Sequence, residues 1–149
     1  LNIYYIPDFI KWKLNAGFRK INMWPFGAGG VNYHFVYWPP HLNVKIFPQW
    51  FKEKVKSKYE DFYPWWEENW EKGIPSWHKG KVDYEKWREA SYGINRLQGM
   101  INFMYQEDWS RRMPEFQEYL TLNDKIRGTN FKETFPEMVE LMEYRYDSN

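Results

Sequence analysis

The sequence predicts an α-rich α+β fold, with a small sheet of about three strands near the N-terminus followed by a bundle of four to five helices. Three observations predict it. Residues 18–24, 32–38 and 41–47 are short stretches set apart by the Gly27-Ala28-Gly29-Gly30 run and by Pro39-Pro40, and the second is rich in Tyr, Phe and Val, as strands prefer. Tyr84, Trp87, Ala90, Ile94, Leu97, Ile101 and Met104 follow one another at steps of three or four, the apolar stripe of a long helix. Residues 124–137 carry the signals of a helix end, a tight turn and a helix start.

In chain order, residues 1–6 alternate loosely and read as a further strand. Asp8 is placed to N-cap a helix over residues 9–16, which Gly17 stops. The glycine run is a flexible turn between two strands. Pro48 opens a helix through residue 62 with Phe51, Val55, Tyr59 and Phe62 on one face, and Pro64 interrupts it. A short helix over residues 65–72 stacks Trp66 and Trp70, and residues 73–80 form a loop. The long helix spans residues 83–107, weakened at Gly93 and Gly99 by about 1 kcal/mol each. The next, over residues 114–127, packs Phe116, Tyr119, Leu120 and Ile126. Arg127 suits its negative end, and Gly128 can take the left-handed conformation beyond it. Asp124 and Arg127 have the spacing of a structural ion pair. Thr134 and Glu137 have the spacing of a capping box, with Pro136 inside the first turn of a last helix over residues 135–146. That helix offers Met138, Leu141 and Met142, and Phe131 and Phe135 pin the turn to the body.

A chain of 149 residues is read as one domain, 1–149. A net charge of +1 argues against nucleic acid as a partner. The absence of cysteine excludes disulfides and thiolate chemistry and fits a cytoplasmic location. No apolar run reaches the roughly 20 residues of a membrane span, and no signal peptide is evident. The first residue is Leu1, so a fragment or processed chain is expected. With 10 Trp, 12 Tyr and 11 Phe, there are more rings than one domain of this size readily buries. Part of the aromatic surface is expected to face a ligand, a partner or a missing domain.

His34, His41 and His78 lack any metal-ligand spacing, so no metal site is expected. No serine sits in a nucleophile elbow. Glu67-Glu68 and Glu107-Asp108 are neighbours on expected helices and point apart, which argues against a paired-carboxylate site. Lys52, Lys54, Lys56 and Lys58 read as a solvated face offset by Glu53 and Glu60. The glycine run lacks a phosphate-loop frame. Asn32 and His34 alternate along their strand and so share a face, and Trp38-Pro39-Pro40 could line a pocket mouth.

Asp124-Lys125-Ile126-Arg127-Gly128, followed by Phe131 and by Phe135-Pro136-Glu137, resembles the C-terminal end of radical SAM proteins of the twitch-domain type. Two upstream stretches are similar to the same family: Val44-Lys45-Ile46-Phe47-Pro48 with its Lys-rich helix, and Ile101-Asn102-Phe103-Met104-Tyr105 with Glu107-Asp108. The resemblance implies that the chain is the C-terminal portion of such a protein, closing and capping a site. Its sheet would then be the closing edge of a partial α/β barrel. SAM and a 4Fe–4S cluster would belong to a longer parent, because the three cluster cysteines are absent here. Asn32, His34, Val44 and Ile46 would approach the SAM-pocket edge, and no residue is carried over as catalytic. The expected partner is a missing N-terminal domain or a second copy met through aromatic surface. An independent module stacking its rings on a sugar, base or peptide is the alternative.

Overall fold

A computed structural model describes residues 2–17, 39–69 and 94–146. Six α-helices run through them: α1 (Asn2–Asn15), α2 (Gln49–Asn69), α3 (Ile94–Tyr105), α4 (Met113–Arg127), α5 (Phe131–Thr134) and α6 (Val139–Glu143). Single 3-10 turns at Pro40–Leu42, Val44–Ile46, Ser110–Arg112 and Pro136–Met138 lead into or between them. Among the described residues there is no strand, so the described part of the fold is all-α rather than α+β. The expected three-stranded sheet and barrel edge are thereby corrected. Residues 18–24 and 32–38, the glycine run and residues 70–93 lie outside the described residues.

Two expected strands turn out otherwise for identifiable reasons. Residues 41–47 form two tight turns because Asn43 offers its backbone a local alternative. Its Oδ1 accepts from the Lys45 N–H at 2.9 Å, capping the Val44–Ile46 turn. Residues 2–6 are helical because Ile3, Ile6, Ile10 and Leu14, all buried, form one stripe that runs straight through Pro7. Asp8 therefore lies inside α1 rather than capping it, while Gly17, at φ +83°, follows the end of the helix as expected.

A proline inside a helix leaves the carbonyl four residues earlier without its usual donor. For Pro7 that carbonyl belongs to Ile3, and the buried Tyr59 hydroxyl donates to it at 2.8 Å. The α1–α2 contact thus repairs the defect that Pro7 creates. Burial of Tyr59 pushes its phenol far above the ordinary range, which keeps the hydroxyl a donor. In α2 the proline is Pro64, which does not interrupt the helix. It stands exposed, so the freed Glu60 carbonyl can meet water. Its cost of about 3 kcal/mol is offset by Phe62 and Trp66, whose burial is worth roughly 1.5–3 kcal/mol each.

The core is one cluster. Phe51, Val55, Tyr59, Phe62 and Trp66 of α2 meet the α1 stripe on one side and Leu97, Ile101 and Met104 of α3 on the other. Phe47 joins this body to α4, its ring 4.8 Å from Phe51 and 6.2 Å from Phe116. Phe131 is buried and stacks at 5.2 Å on Phe135, which in turn meets Tyr5, so these rings do pin the turn.

The turn after α4 departs from expectation in its polar chemistry. Gly128 takes φ +65° and closes the helix, as its position suggested. Asp124 does not pair with Arg127. Its carboxylate accepts from the Thr129 hydroxyl at 2.8 Å and from the Phe131 N–H at 2.7 Å, knitting the turn to its own helix. The reciprocal cap lies one turn earlier than Thr134 and Glu137. Asn130 accepts from the Lys132 and Glu133 N–H groups and donates from Nδ2 to Glu133 at 2.8 Å.

Candidate functional site

Two groups of side chains stand out, and they differ in every respect. The first is a buried cation tie. Lys45 and Lys52 are only 2% and 4% exposed, although the sequence placed Lys52 on a solvated face. Lys45 reaches Glu107 Oε1 at 2.8 Å and lies 4.5 Å from the Phe103 ring centre and 5.3 Å from that of Trp109. Lys52 donates to the Glu107 carbonyl at 3.2 Å. The Trp109 indole donates to Glu107 Oε2 at 2.8 Å, and the Trp109 N–H donates to the Lys45 carbonyl at 3.1 Å. Residues 107–110 thus wrap the Val44–Ile46 turn from 62 residues away.

The electrostatics follow from the geometry. Hydrogen bonds from Lys45 and then Trp109 hold the Glu107 carboxyl below the usual carboxylate range. Burial works against ionisation of Asp108, but Ser110 and the Lys52 charge outweigh it and its carboxyl also sits low. Burial pushes the Lys52 ammonium down, helped by Lys45 and opposed by Asp108. Glu107 and Asp108 fall beyond α3 rather than on it; Glu107 holds Lys45 while Asp108 accepts from the Ser110 N–H at 2.9 Å, which makes this a structural clamp. A second polar seam joins α1, α2 and Glu137. The Tyr5 hydroxyl donates to Glu137, Lys58 pairs with Asp8, and Lys54 donates to the Glu137 carbonyl at 2.9 Å. Lys58 Nζ also lies 3.8 Å from the Tyr4 ring centre.

The second group is open. On α4, Met113 and Phe116 are buried, while Tyr119, Leu122 and Ile126 lie round the other side, 37%, 53% and 73% exposed. The expectation that Tyr119 and Ile126 pack inward is thus overturned. Next to this ridge the Pro40–Leu42 turn brings His41 to 5.4 Å from the Tyr119 ring. His41, Glu115, Glu118, Tyr119 and Leu122 line a shallow open cleft of about 340 Å³. The Arg112 guanidinium holds Glu115 at 3.1 Å through both carboxylate oxygens. Among the described residues Glu118 and Lys125 make no ion pair.

Of the four sequence-predicted pocket residues, Asn32 and His34 lie outside the described residues. Val44 is half-buried in its 3-10 turn, and Ile46, 1% exposed, belongs to the core. The cation tie was not read from the sequence, since no local pattern marks a lysine for burial by partners 62 residues away. The ridge left a weak signal, the i, i+3, i+7 spacing of Tyr119, Leu122 and Ile126. Most described Trp and Tyr rings pack on the core, so aromatic abundance alone does not make a binding surface; Phe9 and Trp12, 54% and 59% exposed, are exceptions. Among the described residues no group of His, Asp and Glu could hold a metal ion, and no helix is long and apolar enough to cross a membrane. Comparison of the chain with protein-family profiles, curated proteins and solved structures finds no match.

Proposed function

We propose that the chain is a helical protein-interaction module that presents the outer ridge of α4 as its docking face. The observation that carries this reading is the exposure of Tyr119, Leu122 and Ile126 on a helix whose other side is anchored in the core. Such a ridge is rigid, apolar and bordered by carboxylates, the features of a helix-recognition surface. The test is a photoreactive phenylalanine analogue at position 122, with position 60 on α2 as the exposed control, irradiated in the protein's native cells. Protein adducts at 122 and none at 60 are expected. Equal labelling at both positions, or none at 122, overturns the reading.

A second reading is that the chain is the helical C-terminal portion of a radical SAM-like protein, capping a site whose 4Fe–4S-binding part lies elsewhere. One observation favours it: the three stretches that carry the resemblance are tied together, Lys45 to Glu107 at 2.8 Å and Lys54 to the Glu137 carbonyl at 2.9 Å. Three clustered cysteines encoded upstream, followed by anaerobic iron–sulfur reconstitution of that longer product, would support it. A gene product without such a cluster sinks it.

A further inference from the structure

We infer that the occupant of the α4 ridge is a second copy of this chain, docked antiparallel about a two-fold axis. The inference rests on reading α4 as a docking face and names its partner. Glu115, Tyr119, Leu122 and Ile126 are spaced four, three and four, the spacing of a coiled-coil seam. Two such seams laid antiparallel place Tyr119 of one copy against Leu122 of the other, and the reverse, so the two central layers are apolar and match under a two-fold, while Ile126 of each copy lies over the aliphatic stem of Glu115 of the other. The cleft beside His41, which Tyr119 and Leu122 line, then receives the Leu122 side chain of the second copy.

Charge selects this arrangement over the others. Glu118 and Lys125 are seven residues apart and therefore flank the seam on the same side. In an antiparallel pair the same flank of each helix faces its equivalent, so Glu118 of each copy meets Lys125 of the other, twice over. Both groups are exposed and unpaired among the described residues, so no existing ion pair must be broken. A parallel, in-register pair would instead set Glu118 opposite Asn123, with no charge to meet. Antiparallel docking also opposes the two helix dipoles. The chain's net charge of +1 adds little repulsion between copies.

The seam is short. A 15-residue helix is about 22 Å long, too little for the roughly 800 Å² per partner of a standard interface. The dimer is therefore weak, dissociating on the order of 0.1 mM. Sedimentation velocity of the full chain, from about 10 µM to about 1 mM, is expected to show the mass rise from 18.6 kDa towards twice that value. Leu122→Glu abolishes the rise while leaving the helical signal intact, because Leu122 is exposed. Glu118→Lys and Lys125→Glu each weaken association about tenfold, and the double variant Glu118→Lys/Lys125→Glu restores it. A wild-type mass that stays at 18.6 kDa at the highest concentration overturns the inference. So does a Leu122→Glu variant that still dimerises, or a double variant no better than the singles. A monomer that nonetheless yields adducts to other proteins at position 122 would leave the docking face standing and remove only the second copy. A monomer with no adducts would remove both.

Discussion

The cation tie around Lys45 and the outer ridge of α4 are neighbours, bridged by Phe47 and by the Ser110–Arg112 turn that leads into α4, yet they spend their side chains in opposite ways. In the tie, two lysines that ought to be in water are buried, and both ammonium groups donate to Glu107, one to its carboxylate and one to its carbonyl. On the ridge, apolar groups that ought to be buried are left in water, beside charges without partners among the described residues. The first pattern is what a fold does to hold itself. The second, on a helix whose inner face is already well packed, is what a surface keeps for something else. Residue type alone would have suggested the reverse, with lysines outside and Leu122 and Ile126 inside.

The change expected to break both regions at once is Phe47→Ala. Its ring is 2% exposed and bridges Phe51 to Phe116, directly after the Lys45 turn. Loss of transfer energy and the cavity left behind should cost about 3–5 kcal/mol, read from urea unfolding. A cost under about 1 kcal/mol would mean that α4 is held by other contacts and that the two regions are independent.

Next in size is Tyr59→Phe, which tests whether interior polar groups are as fully matched as the comparison requires. It leaves the Ile3 carbonyl with neither the hydroxyl nor, because of Pro7, a backbone donor, and should cost about 1–3 kcal/mol. In a Pro7→Ala background residue 7 regains its N–H, so the same substitution should cost measurably less. Additivity in that double-mutant cycle would refute the repair.

How much of this was legible follows the range of the interactions. The inward faces of α2 and α3 were readable because Phe51, Val55, Tyr59 and Phe62, and Leu97, Ile101 and Met104, are local periodic signals. Gly17 and Gly128 were readable because positive φ is a property of one residue. The Ile3, Ile6, Ile10, Leu14 stripe was equally periodic, but Pro7-Asp8 looked like a boundary, and only Tyr59 from another helix makes the proline tolerable. Asn43 disguised a pair of turns as a strand by supplying its own acceptor. The capping box failed because Asn130 competes for the same turn, and Glu137 is taken by Tyr5 from 132 residues away. The tie depends on a contact across 62 residues that no window of sequence contains.

A smaller effect separates the tie's electrostatics from its packing. Lys45 and Trp109 hold the Glu107 carboxyl low, so its contribution is complete above the ordinary glutamate value and fades as pH falls through the lowered one. Below about pH 4 the wild type should lose stability faster than Glu107→Gln, whose side chain does not titrate. Urea midpoints at neutral and acid pH give the comparison. Equal acid losses in the two proteins would show that Lys45 is kept for its stem and its ring contacts and that the charge on Glu107 contributes nothing.

The smallest expected effect is the most discriminating. Leu122→Ala should shift the unfolding midpoint by less than about 0.5 kcal/mol at concentrations where the chain is monomeric, because a 53% exposed side chain loses little burial. Alanine is also the better helix former, which offsets part of even that loss. A cost of 2 kcal/mol or more, the size seen for core leucines, would show that Leu122 packs against the body of its own chain. The ridge would then be core that happens to look exposed, and its contrast with the tie would disappear. If stability is unchanged while the concentration-dependent mass is lost, then Leu122 serves association and not folding.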